Sequence, residues 1–119
     1  MSDRTPEISV EELAVAVQQG KTVVDVREPG EYEAGHVPGA VLIPMGQLPS
    51  RVGELEPSDA VYVVCASGNR SASMTDFLTT AGFDAYSVAG GTSGWVHSGR
   101  EVVTGAAPTL NPDLRGRTP

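Results

Sequence analysis

The fold of this chain is decided by residues 60–71, which read Ala-Val-Tyr-Val-Val-Cys-Ala-Ser-Gly-Asn-Arg-Ser. The first five residues are nearly all apolar and β-prone, which predicts a central strand covered on both faces. A short glycine-containing loop, residues 65–71, follows. Apolar residues then recur at helical spacing, at Met74, Phe77, Leu78 and Ala81. Residues 60–81 therefore predict a strand, a tight loop and an amphipathic helix in direct succession.

The rest of the chain repeats this alternation of strands and helices. A capping box formed by Ser9 and Glu12 predicts a first helix that ends near Gly20. Further short strands are predicted at residues 22–26, 40–43 and 85–88. Further helices are predicted from Pro29 to about Gly35, over 48–55 (weakened by Gly53), and after Gly90-Gly91. Such alternation predicts an α/β domain with a mostly parallel sheet.

Composition excludes several kinds of site. The chain has 119 residues, a formal net charge of −7, one cysteine and two histidines. The size predicts one domain, and the negative charge argues against nucleic-acid or membrane partners. One cysteine excludes an internal disulfide, and two distant histidines do not give zinc-ligand spacing. Because the N-terminus is polar and no run reaches the roughly 18 apolar residues of a membrane span, we expect a cytoplasmic protein.

The lone cysteine, Cys65, lies where the central strand is predicted to end and the next helix to begin. In open parallel sheets, ligands bind beyond the carboxyl ends of the strands. The amides at a helix N-terminus stabilise an anion, so a thiol placed there has a lowered pKa. Gly68 allows a tight turn that aims several amides at one centre. The alternative is a small buried hydrophobic residue, but a packed cysteine has no need of the Gly, Asn, Arg and Ser that follow.

Three motifs, in this order along the chain, resemble the rhodanese family. Residues 65–71 are similar to the family's loop pattern Cys-x-x-Gly-x-Arg-Ser. Upstream, residues 25–40 look like its other signature and read Asp-Val-Arg-Glu-Pro-Gly-Glu-Tyr-Glu-Ala-Gly-His-Val-Pro-Gly-Ala. Downstream, residues 90–95, Gly-Gly-Thr-Ser-Gly-Trp, resemble the element that closes the domain. The resemblance runs from Ile8 to Val103.

The resemblance implies a rhodanese-like α/β fold. Its sheet is expected to be central, mostly parallel and five-stranded, with helices on both faces. We expect the rhodanese-like domain to span residues 5–103. From residue 104 to residue 119 the composition shifts to Gly, Pro, Ala and Thr without apolar periodicity, which predicts a loosely ordered tail.

The resemblance also implies a sulfurtransferase that works by double displacement and needs no metal or organic cofactor. The Cys65 thiolate is expected to take the outer sulfur of a small donor anion such as thiosulfate, as a persulfide. A thiol, cyanide or an acceptor protein then removes that sulfur, and with no second cysteine the acceptor must come from outside the chain. The expected substrate-binding residues are those of the loop: Ala66, Ser67, Gly68, Asn69 and Arg70. Since Ala66 and Ser67 give the loop no second cation, unlike many rhodaneses that favour thiosulfate, the natural donor stays open.

Two arginines have competing interpretations. Arg70 either binds an oxyanion of the substrate or forms a structural ion pair with Asp25. Arg27 is interpreted as a structural residue that holds the 28–36 segment through Glu28 or Glu31.

Three other polar or aromatic residues are interpreted as structural. His36 belongs to the upstream signature, and a thiolate already stabilised by amides needs no base. Trp95 either packs in the core or walls the mouth of the site. Ser71 is interpreted as the cap of the helix after the loop.

Three other functions stay open at this point. Rhodanese-fold phosphatases place one more residue between Cys and Arg than the four found here, 66–69, so the loop predicts a cradle better suited to one sulfur than to a phosphate. A rhodanese-like domain can also be a non-catalytic binding module, although such modules often lack the cysteine. A redox-sensing thiol is the third alternative.

Overall fold

The computed structural model describes residues 4–107, which form a single five-stranded sheet with helices packed against it. The strands are β1 Glu7–Ile8, β2 Thr22–Asp25, β3 Val41–Leu42, β4 Ala60–Val64 and β5 Asp84–Val88. The helices are α1 Val10–Gln18, α2 Pro29–Ala34, α3 Leu48–Arg51, α4 Asn69–Thr80 and α5 Gly91–His97, with a 3₁₀ turn at Val52–Glu54 after α3.

The strand order is β1-β5-β4-β2-β3, and all neighbouring strands are parallel. The sheet is thus wholly parallel where the sequence predicted a mostly parallel one. The predicted strand β4 lies at its centre, as its apolar run indicated. The edge strand β1 was not predicted residue by residue. It has only two residues, and its strand conformation comes from pairing with Ser87 and Val88 of β5.

Both faces of the sheet are covered, which explains why β4 is apolar throughout. On one face, Val61 and Val63 join a core with Leu48 of α3 and Leu78 of α4. On the opposite face, Val64 packs in a core that also contains residues of α1 and α5, namely Leu13 and Trp95. Successive residues of a strand point to opposite faces, so a strand buried on both sides loses the alternation of apolar and polar residues.

The ends of the helices follow local chemistry. The predicted capping box at α1 is present: the Ser9 hydroxyl accepts from the Glu12 amide at 3.0 Å, and the Glu12 carboxylate accepts from the Ser9 amide at 2.8 Å. The helix predicted over 48–55 is shorter than expected: α3 has only four residues, and the chain then forms the 3₁₀ turn that contains Gly53.

The chain beyond α5 returns to the signature segment. Val103 pairs with His36 in an antiparallel bridge, and the Gly105 amide donates to the carbonyl of Glu33 at 2.9 Å. The predicted tail, 104–119, falls mostly outside the described residues, and the domain boundary at 103 stays a prediction. Over residues 4–107, no helix is long and apolar enough to cross a membrane.

Candidate active site

Cys65 is the first residue after the central strand β4, and α4 begins four residues later at Asn69. The predicted helix therefore starts inside the motif. The Cys65 side chain consequently lies at the carboxyl edge of the sheet, between the end of a buried strand and the N-terminus of the longest helix. This is the position at which parallel α/β sheets bind ligands.

Backbone amides point at the Cys65 sulfur. The Gly68 amide donates to Sγ at 3.1 Å, and Gly68 adopts a φ of +120°, which a residue with a side chain rarely tolerates. No described side chain caps α4, whose N-cap is Gly68, and its first turn, Asn69-Arg70-Ser71, carries no acid. The free amides at the start of α4 are therefore left for the sulfur, which takes the place of a capping group.

These contacts favour the ionised form of the thiol. Burial raises the pKa of Cys65. Hydrogen bonds from the Ser71 hydroxyl and from the amides of Ser71, Gly68 and Ser67 lower that pKa and outweigh burial. The net pKa lies below the ordinary value for a thiol, so a larger fraction of Cys65 is thiolate at neutral pH.

The loop is held from behind by the start of α5. The Thr92 amide donates to the Cys65 carbonyl at 2.8 Å, and the Ser93 amide donates to the Ala66 carbonyl at 3.0 Å. In a trans peptide the carbonyl and the next amide point in opposite directions. Fixing the Ala66 carbonyl toward α5 therefore aims the Ser67 amide toward the sulfur.

This contact requires glycine at position 91. A Cβ at Gly91 would lie 2.5 Å from the Cys65 carbonyl oxygen and 2.7 Å from the Ala66 carbonyl oxygen, and φ at Gly91 is +59°. The sequence identified the Gly90-Gly91 pair only as a turn and a family motif. Its role in supporting the Cys65 loop depends on contact between segments 25 residues apart, which local pattern does not indicate.

Ser71 is not the helix cap that the sequence predicted. The cap position is Gly68, and Ser71 lies in the first turn, where its buried hydroxyl is 3.5 Å from Cys65 Sγ and 3.1 Å from the Gly68 carbonyl oxygen. The same hydroxyl is 2.8 Å from the buried Ser87 hydroxyl of β5. Ser87 was missed because a single serine among the apolar residues of a strand gives no signal of a site.

The ion pairs differ from both predictions. Arg70 pairs with Glu31 of α2 through two hydrogen bonds, at 2.8 and 2.9 Å, and not with Asp25. The buried Asp25 pairs instead with Arg27 at 2.8 Å, and Arg27 also donates to the carbonyl of Gly35 at 2.8 Å. Arg27 thus holds the end of α2 through a backbone carbonyl, where an acidic partner was predicted. Asp25 is only two residues from Arg27 and is paired with it. Glu31 is therefore available to pair with Arg70.

The other signature residues are structural neighbours of the site. His36 is fully buried, its Nδ1 lies 2.8 Å from the Tyr32 carbonyl oxygen, and its ring stacks on the Tyr32 ring at 3.6 Å. Trp95 is buried in the core on the α1 and α5 face, and its indole Nε1 donates to the Glu101 carbonyl at 2.8 Å. Neither contact involves Cys65.

Of the predicted substrate-binding residues, Ser67 and Gly68 direct backbone amides at the Cys65 sulfur. Cys65 itself is only 1% exposed. Ser67 and Asn69 have exposed side chains, whereas Ala66, Gly68 and Arg70 are half-buried. The loop therefore directs amides at the sulfur, while Ser67 and Asn69 are exposed to the solvent and Arg70 is paired with Glu31. Cys65 therefore presents almost no surface to the solvent in this structure.

Comparison with known proteins identifies the family that the three sequence motifs resemble. The family model for the rhodanese-like domain matches residues 9–98. The thiosulfate sulfurtransferase GlpE of Tolumonas auensis is 33% identical over 92 residues, which are 76% of this chain and 87% of GlpE. YrkF of Bacillus subtilis, a candidate sulfur carrier protein, is 40% identical over 80 residues, which are 66% of this chain and 43% of YrkF. The chain thus spans less than half the length of YrkF.

A solved structure has the same fold. The rhodanese-related protein of Thermoplasma volcanium superposes with a TM-score of 0.79 at 34% identity, over 84% of this chain and 99% of that protein. The predicted fold, a rhodanese-like parallel sheet between helices, is confirmed by this match and by the observed topology. The chain belongs to the rhodanese-like domain family, whose members similar to it include a thiosulfate sulfurtransferase.

Proposed function

We propose that the chain is a sulfurtransferase that carries a sulfane sulfur on Cys65 as a persulfide. The observation that supports this most directly is the sulfur's surroundings: Sγ accepts the Gly68 amide at 3.1 Å at the N-terminus of α4, and its pKa is lowered by hydrogen bonds. Similarity to a thiosulfate sulfurtransferase and to a candidate sulfur carrier supports the same reaction class.

The reaction has two displacement steps. The Cys65 thiolate attacks the outer sulfur of the donor, and a new S–S bond forms as the bond inside the donor breaks. The leaving group keeps the electron pair; from thiosulfate it is sulfite. An acceptor nucleophile then attacks the outer sulfur of the persulfide, and the Cys65 thiolate is regenerated. Neither step needs an oxidant or a reductant, and cyanide gives thiocyanate while a thiolate gives a new persulfide.

The amides around the sulfur stabilise negative charge before and after the first step. The charge sits on Sγ in the resting enzyme and on the outer sulfur in the persulfide. Amides fixed by the backbone stabilise this charge without the cost of orienting solvent, in a site from which water is largely excluded.

The charges around the loop favour one class of donor over another. Thiosulfate is a dianion, and the one arginine of the loop, Arg70, is already paired with Glu31. The net charge of the chain is −7. We therefore propose that persulfides of small thiols are better donors than thiosulfate. The Glu31→Gln variant removes the competing carboxylate and is expected to improve thiosulfate relative to a thiol persulfide, measured as the ratio of kcat/KM values.

The central test is the intact mass of the protein. Treatment with thiosulfate or a thiol persulfide should add about 32 mass units, removable by a reductant, because one sulfur atom is transferred to a thiolate. Cys65→Ser is the matched control and should gain nothing. An unchanged mass with every donor contradicts the proposal and leaves the binding module as the better hypothesis.

Two further measurements separate the alternatives. Release of thiocyanate from cyanide should appear with the wild-type chain and vanish in Cys65→Ser. An aryl phosphate should not be hydrolysed, since the Arg70 guanidinium is engaged by Glu31 and does not complete a phosphate cradle. Phosphate release without sulfur transfer contradicts the proposal in favour of the phosphatase.

A further inference from the structure

The Cys65 sulfur is linked to the sheet by a chain of two buried hydroxyl groups. Ser71 Oγ lies 3.5 Å from Sγ, and Ser87 Oγ lies 2.8 Å from Ser71 Oγ. Both serines have no exposed surface, and they come from different elements, Ser71 from α4 and Ser87 from β5. Bulk water therefore does not compete for the hydrogen bonds between these hydroxyls.

The hydrogens of this chain can be assigned by counting donors. Among residues 4–107, Ser87 Oγ has Ser71 Oγ as its one hydrogen-bond partner, so a satisfied Ser87 hydroxyl donates to Ser71. Ser71 has a single hydrogen and two neighbours that can accept it, Sγ and the Gly68 carbonyl oxygen at 3.1 Å. Ser87 therefore leaves the Ser71 hydrogen for one of these two acceptors.

The protonation state of Cys65 selects between the two acceptors. A neutral thiol can donate its own hydrogen to Ser71 Oγ, and the Ser71 hydrogen then goes to the Gly68 carbonyl. A thiolate has no hydrogen to donate, so the Ser71 hydroxyl rotates and donates to Sγ. The Gly68 carbonyl is not left unsatisfied, because the Ala72 amide still donates to it at 3.1 Å.

We propose that Ser71 and Ser87 form a hydroxyl switch that stabilises the Cys65 thiolate, with Ser71 as the group that touches the sulfur and Ser87 as the positioning residue that supplies Ser71's other hydrogen bond. Without Ser87, Ser71 Oγ loses the hydrogen bond it accepts, and with it the polarisation that strengthens its own hydrogen bond to the sulfur. With Ser87 donating, Ser87 is not an acceptor for Ser71, and the Ser71 hydrogen alternates between the Gly68 carbonyl and the sulfur.

The switch concerns the thiolate on which the proposed function rests, and it can be measured without any sulfur donor. Because Cys65 is the single cysteine, the rate of alkylation by iodoacetamide and the ultraviolet absorbance of the thiolate report on this residue alone. A chain that forms the switch but transfers no sulfur refutes the proposed function and leaves the switch standing. If the chain transfers sulfur but the serine variants leave the alkylation rate of Cys65 unchanged, the switch is refuted and the proposed function stands.

The experiment compares the pH profile of alkylation in three variants. Ser71→Ala should slow alkylation at neutral pH roughly tenfold and move the profile to higher pH, because a hydrogen bond to a charged group is lost. Ser87→Ala should slow it roughly threefold, since the Ser71 hydroxyl remains but no longer accepts the hydrogen bond that strengthens its own donation. Thr75→Val is the matched control: Thr75 lies one turn further along α4, and its buried hydroxyl has no partner among the described residues. Its profile should match the wild type.

The double variant separates a switch from a packing defect. If Ser87 acts through Ser71, the Ser71→Ala/Ser87→Ala chain should alkylate no more slowly than Ser71→Ala alone. The proposal is overturned if the two effects multiply in full, or if Ser87→Ala leaves the pH profile where the Thr75→Val profile lies. Should Ser71→Ala fail to fold, the comparison of Ser87→Ala with Thr75→Val decides by itself.

Discussion

Gly91 is where the support of the Cys65 loop can be tested most sharply, by the substitution Gly91→Ala. The added Cβ would lie 2.5 Å from the Cys65 carbonyl oxygen, whereas real contacts of this kind start at 3.0 Å and are ordinary from 3.4 Å. The two segments must therefore separate by about 0.5 to 0.9 Å. The start of α5 donates backbone hydrogen bonds to the Cys65 and Ala66 carbonyls. Separating the two segments therefore displaces the loop, and its amides no longer point at the sulfur.

The size of the effect follows in two parts. Alanine in the left-handed region costs ~1–2 kcal/mol, and a contact forced apart in a packed interior costs ~1–3 kcal/mol more. Misplacing reacting groups by up to ~1 Å lowers kcat/KM on the order of 100-fold. We therefore expect Gly91→Ala to lose about 2–5 kcal/mol of unfolding free energy and most of its sulfur transfer.

Gly20→Ala is the matched control. Gly20 has a similar φ of +72°, but nothing lies within 4 Å of its added Cβ. It should lose only the ~1–2 kcal/mol of the backbone strain and keep the wild-type alkylation rate of Cys65 and its rate of thiocyanate formation. Unfolding in denaturant measures the first quantity. If Gly91→Ala matches Gly20→Ala in both stability and reactivity, the loop is not held by α5 and the reasoning fails.

Three further outcomes follow from the charges and hydrogen bonds around the signature segment. Asp25→Ala should cost ~3–5 kcal/mol of unfolding free energy, because it leaves the buried guanidinium of Arg27 unpaired; a loss below ~1 kcal/mol in denaturant unfolding contradicts this. The hydrogen bonds from Arg70 lower the pKa of Glu31 to about 2, from 4.5, so the pair stabilises the fold above pH 4.5 and the benefit is lost as the pH falls toward 2. Glu31→Gln should flatten that part of the stability–pH curve by under ~1 kcal/mol, since both side chains are about one-third exposed. Burial raises the pKa of Tyr32 to about 12, so wild-type stability should fall between pH 10 and 12. Tyr32→Phe should reduce that fall, leaving the part due to the raised pKa of Tyr86, and should lose ~1 kcal/mol at neutral pH with its hydrogen bond; an unchanged alkaline curve in the variant excludes Tyr32 as a cause.

The sequence predicts well what short-range pattern controls. The apolar run of β4 and the capping box at Ser9 are local signals. The strand has its predicted bounds, and the helix begins directly after Ser9 and ends at Gln18, two residues before the predicted Gly20. The position of Cys65 at the carboxyl end of the central strand followed from the order of strand, loop and helix alone. This was enough to find the candidate site.

What the sequence did not predict depends on contacts between distant segments. For Arg70 the sequence left two interpretations open, a substrate oxyanion or an ion pair with Asp25, and did not indicate Glu31. Only the three-dimensional arrangement shows that Asp25 is already paired with Arg27. The hydroxyl of Ser87 reaches the site from β5, 22 residues after Cys65. Neither contact leaves a pattern in its own stretch of chain.

The arrangement of the Cys65 loop divides two tasks between backbone and side chains. Peptide groups anchored to α5 and α4 hold the sulfur, and within residues 4–107 no side-chain hydrogen bond of the exposed Ser67 and Asn69 takes part in that anchoring. Substitutions of these exposed side chains can therefore change which donors and acceptors are preferred without changing the reactivity of the Cys65 thiol. A library randomised at these two positions should yield folded chains of equal thiol reactivity whose preferences among donors and acceptors diverge.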